Sequence, residues 1–539
     1  MGATMGWNFD TARRRIDELM NSVPEVKTEG FAEEYLPRFH MLAESARSKG
    51  LHFDSKPLFS LQNSEAVIVD GVHVYAKLVN YDDYRLSEGT ETEKSHARAL
   101  NFLHIHYSAC DRVVENCGAQ RVDFHDGRMH AVVIEPLGAN NEGIRVAKAI
   151  LLAEQLKSLS ASAVQRFRDN DFGSDYRFGI DTGVCVATNN GIRAEQEPLF
   201  LGSAANHAAK LAEGNQTGIY LSDRAEAALK QISISSTRNQ FEKFVDERPT
   251  YRLDENALPE VMRAASSSTF GVDDLLENWQ SDIRSGVSGV ASSPAEFVFH
   301  AHSLPLRNID YQDLMPSNSI RMGMISIFGD LDGYTKYIDG AMTNRQKISN
   351  AVRNLHVIRG EWANVIQKDF AGRKVRFIGD CIHGVLADGE GTTTDKAETI
   401  RQAVHCAGGL RSSFGICQGL LPDAHQLGLA IGFEFGPTPI TRLGIRGERS
   451  VRVASSIART ISEAEQQRCN GVETAIGPVA FEAASQAARA LFSVDKKSAN
   501  LDYDSAYLGA PAAVSAPAIS TKSDSSFRAH SEDGPWSRQ

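Results

Sequence analysis

The chain has 539 residues, 42% of them hydrophobic and 23% charged, with 57 basic against 68 acidic side chains and a net charge of −11. That length allows three or more domains, each with its own core, and an acidic balance with no basic block argues against a nucleic-acid partner. No apolar run approaches the roughly 20 residues that span a bilayer, and the N-terminus MGATMGWNFDTARRR lacks the apolar core of a signal peptide, so a cytosolic protein with no membrane partner is expected.

Residues 1–62 carry amphipathic helical patterns, FDTARRRIDELM and FAEEYLPRFHMLAESARSKG, and no nameable chemistry. From 63 to 262 a strand (GVHVYAKLV) precedes helical sequence through LNFLHIHYSACDRVVENCG, then RVDFHDGRMHAVV, whose Asp-Gly pair signals a hairpin. A helix (IRVAKAILLAEQL), a strand (YRFGIDTGVCVAT) and a small-residue helix (SAANHAAKLAEG) complete this segment. Residues 263–318, rich in Ser and Pro, read as a linker with one short helix near DDLLENW.

The same order returns over 319–510: a strand (GMISIFGDL), a helix with apolar residues at Ile348, Val352, Leu355, Ile358, Trp362 and Val365, and the hairpin KVRFIGDCIHGVL. A helix (TIRQAVHCAGGLRSSF), a strand (LGLAIGFEFGPTP) and a small-residue helix (SVRVASSIARTISEAE) follow. Residues 511–539 have the composition of a disordered tail. The repeated β-α-β-β-α-β order predicts an α+β fold of two tandem ferredoxin-like sandwiches paired as an internal pseudo-dimer. Such pairing removes the need for a second chain without forbidding a homo-oligomer. The seven cysteines (Cys110, Cys117, Cys185, Cys381, Cys406, Cys417, Cys469) show no C-x-x-C spacing and are expected as reduced thiols. P-loop, H-E-x-x-H and G-x-S-x-G motifs are absent, which removes several enzyme classes.

In FGDLDGYT, residues 328–335, two aspartates and a glycine turn follow an apolar strand, and aspartate before a helix is commonly a cap. Fifty residues after Asp330, however, a second aspartate, Asp380, stands at the tip of the RFIGD hairpin; Lys77 and Asp126 are 49 residues apart in the first segment. F-x-D-L-x-G-Y-T followed by R-F-I-G-D resembles the catalytic signature of the class III nucleotide cyclases. The resemblance implies two divalent metal ions, Mn²⁺ or Mg²⁺, bridged by Asp330 and Asp380 with the Leu331 carbonyl as a further ligand. It implies a triphosphate held by the turn at Gly333, Tyr334 and Thr335, with Asp332 left as a cap or solvent-facing residue. Two carboxylates from neighbouring strands suit a hard cation, and paired metals suit in-line attack on a phosphate.

In that family the partner domain adds an asparagine and, four residues on, an arginine. The first segment has Asn206 and Lys210 there, with Lys77 in place of the first metal aspartate and Asp126 retained; the second offers Arg452 and Ser456. Face to face, the segments make one complete site, in which Asn206 orients the ribose and Lys210 stabilises charge on the transferred phosphate, and one incomplete site, in which Lys77 mimics a cation beside Asp126. An ordinary polar helix face is the plain alternative for Asn206 and Lys210.

The positions that read a purine hold Leu199 in the first segment and Arg376 in the second, so neither purine code is intact; Arg376 suits the carbonyl oxygens of a pyrimidine, although it falls on the incomplete side. The motif wording resembles the bacterial pyrimidine cyclases of Pycsar antiphage systems. That implies UTP as the favoured substrate, a cyclic pyrimidine monophosphate as product and a separate effector that senses it. An adenylate cyclase with an unusual base pocket and a non-catalytic nucleotide-binding regulator remain as alternatives.

Overall fold

The computed structural model describes residues 6–528 apart from 24, 52, 54–56, 60, 87–88, 168–173, 191–196, 233–238, 246–247, 266–270, 285–296, 444–449 and 512–526. The tail beyond 511 lies outside the described residues except for Phe527–Arg528.

Helix α1 (Phe9–Ser22) opens the fold. The first half then runs β1 (Glu65–Leu78), α2 (Glu93–Asn116), β2 (Gln120–His125), β3 (Arg128–Val133), α3 (Glu142–Phe167), β4 (Tyr176–Asn190), β5 (Glu197–Leu201), α4 (Ser203–Leu211) and β6 (Gly218–Ser222). The second half runs β7 (Ser319–Asp332), α5 (Tyr334–Ala341), α6 (Arg345–Asn364), β8 (Arg373–Ile378) and β9 (Cys381–Leu386). It continues with α7 (Lys396–Leu420), β10 (Gly428–Leu443), β11 (Val451–Ala454), α8 (Ile457–Gln467) and β12 (Glu473–Ile476). The sheets share one order, β2-β3-β1-β4-β6 and β8-β9-β7-β10-β12, so the repeat read from the sequence is a structural duplication.

The helices form where their apolar spacing allows one face to be buried. On α6, Ile348, Val352, Leu355, Ile358 and Trp362 are all buried against the second sheet, and Asn344 caps the start by accepting from the Gln346 N–H at 2.7 Å. Close approach of helix to sheet depends on two glycines: a Cβ on Gly179 would collide with the Ala208 carbonyl, and one on Gly432 with the Ser462 carbonyl. These two contacts fix which residues of α4 and α8 correspond. Ala208 matches Ser462, so Asn206 and Lys210 match Thr460 and Ala464, not the expected Arg452 and Ser456. The sequence SVRVASSIAR is not all helix: Arg452 lies on β11, and Ser456 is the N-cap of α8, accepting from the Arg459 N–H at 3.1 Å.

The described residues of the N-terminal segment strap the halves together. Arg15, only 5% exposed, donates to Glu361 at 3.0 and 2.6 Å and to Asp369 twice at 2.7 Å, both in the second half. Lys27–Gly30 then adds a parallel strand to the start of β1 in the first half. Among the described residues of the stretch expected as a linker, the helix expected near DDLLENW is present. Val272–Arg284 is a helix that buries Leu275 and Leu276 in the first half's core. Leu306, Ile309, Tyr311 and Leu314 are buried with Ile320 and Met322 of β7, because apolar residues between the Ser-rich runs find cover there. Among the described residues no helix is long and apolar enough to cross a membrane. Removing Arg15 leaves two buried carboxylates facing each other, so Arg15→Ala is expected to destabilise the protein by about 3–5 kcal/mol, measured by urea unfolding.

Candidate active site

The site grows from β7 and the hairpin beside it. β7 is central in its sheet, pairing antiparallel with β9 on one side and β10 on the other, which sets Gly329 opposite Ile382. The next residue along β7 is Asp330, and the two-residue turn Gly379-Asp380 closes β8 onto β9, where Ile378 pairs with Cys381. Gly379 has φ +58°, a left-handed position that lets the hairpin turn tightly and present Asp380. Burial raises the pKa of Asp380 well above the usual carboxylate range, and repulsion from Asp330 adds to it, with the Arg359 guanidinium opposing. Burial likewise pushes Asp330 up to about 6, helped by Asp332 and Glu463, while the Gln466 amide donates to it at 3.4 Å. Such a pair stores unfavourable energy that a cation would release.

Asp332 is not a helix cap: its carboxylate accepts the Gly471 N–H at 2.8 Å and pins the loop before β12. Gly333, at φ +79°, turns the chain into α5 and stands at its N-cap. Leu331 and Tyr334 are buried, and the Tyr334 hydroxyl, under the influence of the Asp380 charge, has no hydrogen-bond partner. Among the described residues no three His, Cys, Asp or Glu side chains form a metal cage. The donor set is instead two carboxylates and an unsatisfied buried hydroxyl, which fits Mg²⁺ or Mn²⁺ completed by water, carbonyls and substrate phosphates.

The first half meets this site through α4. The Asn206 amide donates to the Thr335 hydroxyl at 2.8 Å, a contact across 129 positions in the chain. Lys210, one turn further along α4, is exposed at its C-terminal end. Asn206 and the turn at Gly333, Tyr334 and Thr335 are therefore brought together, with Lys210 on the same helix. Leu199 on β5 is 8% exposed and belongs to the apolar cluster of Tyr334, Tyr337 and Ile338. Arg376 is elsewhere engaged: its guanidinium donates across the boundary to Asp123 and to the Phe124 carbonyl of the first half.

Register also corrects the reading of the first half. Tyr75 faces Gly179 and Phe328 faces Gly432, so the positions two further on, Lys77 and Asp330, do correspond. Their aromatic neighbours stack alike, Tyr75 on His130 at 4.2 Å and Phe328 on His383 at 4.4 Å. Ala76 pairs with Met129 and Gly329 with Ile382, which aligns Gly127 with Asp380 and Asp126 with Gly379. Asp126 has φ +51°, close to the +58° of Gly379, and confirms the match. A counterpart of the Asp380 carboxylate is thus absent from the first half, and the spacing of 49 rather than 50 was its signature. Nor does Lys77 stand as a cation beside Asp126: it pairs with Glu213 at 2.8 Å, while Asp126 takes Arg459 at 3.3 Å.

No family model matches the chain. A curated relative from a Rhizobium species named a uridylate cyclase is 42% identical over 493 residues, 90% of this chain and 92% of its own length. The chain belongs to the uridylate cyclase family. A second relative of that name, from Pseudomonas aeruginosa, is 36% identical over 514 residues, 93% of this chain and 90% of its own. A crystal structure described as a class III adenylyl cyclase-like ATP-binding protein from Pseudomonas aeruginosa is 34% identical, covers 94% of this chain and all of its own, and superposes with a TM-score of 0.78.

Sequence reasoning missed Tyr75, whose ring stacks on His130 and whose hydroxyl pKa is raised by burial and by the charges of Asp123 and Asp380. The signal was its place two residues before Lys77, matching Phe328 before Asp330. The raised Asp330 has a consequence for the metal-free protein. Its folded pKa exceeds its unfolded one, so stability is lost as pH rises from about 4 through 6. Asp330→Asn is expected to stabilise the metal-free chain by on the order of 1–3 kcal/mol at pH 7.5, with the gain vanishing toward pH 4 in thermal unfolding.

Proposed function

We propose that this chain converts UTP to cyclic UMP and pyrophosphate at the composite site between its halves. The observation that carries the reading is the contact of Asn206 with Thr335, which sets a first-half amide against the turn that follows Asp330. Asp330 and Asp380 hold the divalent ions, with the Leu331 carbonyl as a further ligand. Divalent ions held by these residues would supply activation of the ribose 3′-hydroxyl and neutralisation of charge on the leaving pyrophosphate. The backbone N–H groups at Gly333, Tyr334 and Thr335 and the start of α5 receive the triphosphate. Asn206 orients the ribose for in-line attack on the α-phosphate, and Lys210 stabilises the charge that builds there. Lysine lacks the planar fork of arginine, so phosphate is held as a point charge.

Leu199, buried with Tyr334, Tyr337 and Ile338, offers no hydrogen bond to a purine edge, which supports a base other than a purine. Arg376 acts here through Asp123, which it holds, rather than from within the pocket. The cyclic nucleotide is a messenger of antiphage defence in the cytosol, read by a separate effector. ATP is the second reading, because a relative with 34% identity is described as ATP-binding.

The test is to incubate the protein with each of the four ribonucleoside triphosphates and Mn²⁺ and identify products by mass. Cyclic UMP is expected, with loss of 10²-fold or more in Asp330→Asn and of about 10-fold or more in Asn206→Ala. Cyclic AMP keeps the site and replaces the substrate; full activity in Asn206→Ala removes the composite site.

A further inference from the structure

The pairing of halves that builds the composite site builds another on the opposite side of the pseudo-axis, from Lys77 and the Asp126-Gly127 turn of the first half and α8 of the second. At three positions it carries larger, charged side chains than its counterpart. The correspondence of Ala208 with Ser462 puts Ala205 and Ala209 of α4 where α8 has Arg459 and Glu463. The correspondence of Lys77 with Asp330 puts Ile338 of α5 where the first half has Arg85.

These larger side chains are engaged with one another across the boundary. Arg459, 2% exposed, donates to Asp126 at 3.3 Å and to Glu463 at 2.6 Å. Ser455 donates to the other oxygen of Asp126 at 2.8 Å and receives the Tyr81 hydroxyl at 2.7 Å. Arg85, 1% exposed, donates to Asp82 at 2.5 Å and to Thr460 at 2.8 Å. Thr460 is the counterpart of Asn206, and Asp82 of Thr335, so Arg85 is inserted between the two residues whose counterparts touch directly in the composite site. Arg128 extends the network to Glu463 and Glu213.

We propose that this second site is closed from within, Arg85 and Arg459 standing where a ligand's charges and their partners would go, so that each chain takes one nucleotide and keeps its halves face to face without it. A triphosphate entering there must displace the arginines from their carboxylates, and Asp126 and Glu463 then face it with like charge. No carboxylate pair waits for a metal in return, since Lys77 and Gly127 occupy the two positions. The inference rests on the composite-site reading for its count of one, but not for the closure itself.

The experiment is calorimetric titration of the full chain with α,β-methylene UTP and Mn²⁺. A stoichiometry of one per chain is expected, with affinity weakened at least 10-fold in Asp330→Asn/Asp380→Asn. Two per chain overturns the closure and leaves the composite site standing. One per chain, unchanged in that double variant, overturns both. If the analogue does not bind, the composite-site reading fails alone, and a cycle of thermal unfolding decides the closure. Arg459→Ala and Asp126→Asn each lower the midpoint, and the double variant falls no further than the lower single one; losses that simply add overturn the proposal.

Discussion

Everything in this molecule depends on two half-sites being held face to face, and the fastening at the centre of that pairing is electrostatic. Arg376 of the second half and Asp123 of the first occupy corresponding positions, opposite His383 and His130, and they bond to each other. Two identical residues at such a position would repel or leave each other unpaired; an arginine and an aspartate attract. The boundary therefore distinguishes its two sides, and a chain with distinguishable sides can carry different residues at its two sites. Asp330 and Asp380 repel each other on one side, while on the other Asp82, Asp126, Glu213 and Glu463 each pair with an arginine or lysine.

The duplication was legible because helices and strands leave long periodic traces. Five apolar positions on α6, the Asp-Gly hairpin and the near-equal spacing of the motifs marked the fold class and pointed to Asp330, Asp380 and Asn206. What could not be read was detail finer than one residue. A two-residue turn written Asp-Gly in one half and Gly-Asp in the other places its carboxylate on a left-handed corner in the first case and after it in the second, and only pairing register distinguishes them. Arg452 and Ser456 were misplaced for a similar reason: SVRVASSIAR is rich in small residues that suit either a strand or a helix, and the N-cap at Ser456 marks the change. Arg376 was legible as a residue near the base position but not as one already bonded, since its partner lies in the other half.

The segments without recognisable chemistry turn out to organise the pairing. Lys27–Gly30 runs parallel to the start of β1, and Phe299–His300 runs parallel to the start of β7, so each central strand has the same short neighbour at its entrance. Between them, α1 crosses to the second half, where Arg15 meets Glu361 and Asp369 and Trp7 donates to Ser413 at 2.8 Å. Ser413 in turn donates to Glu361 at 3.0 Å, so the indole and the guanidinium share one network.

That arrangement has a cost in time during synthesis. α1 leaves the ribosome early, yet Glu361 lies 346 positions beyond Arg15. At translation rates of about 5–20 residues per second the helix waits roughly 20–70 seconds for its partner. For that interval the second-half partners of its buried face, Ala12, Arg15 and Ile16, do not yet exist, and the arginine sets a charge at the centre of that face. The same arginine that locks the finished protein thus remains solvated until the second half exists.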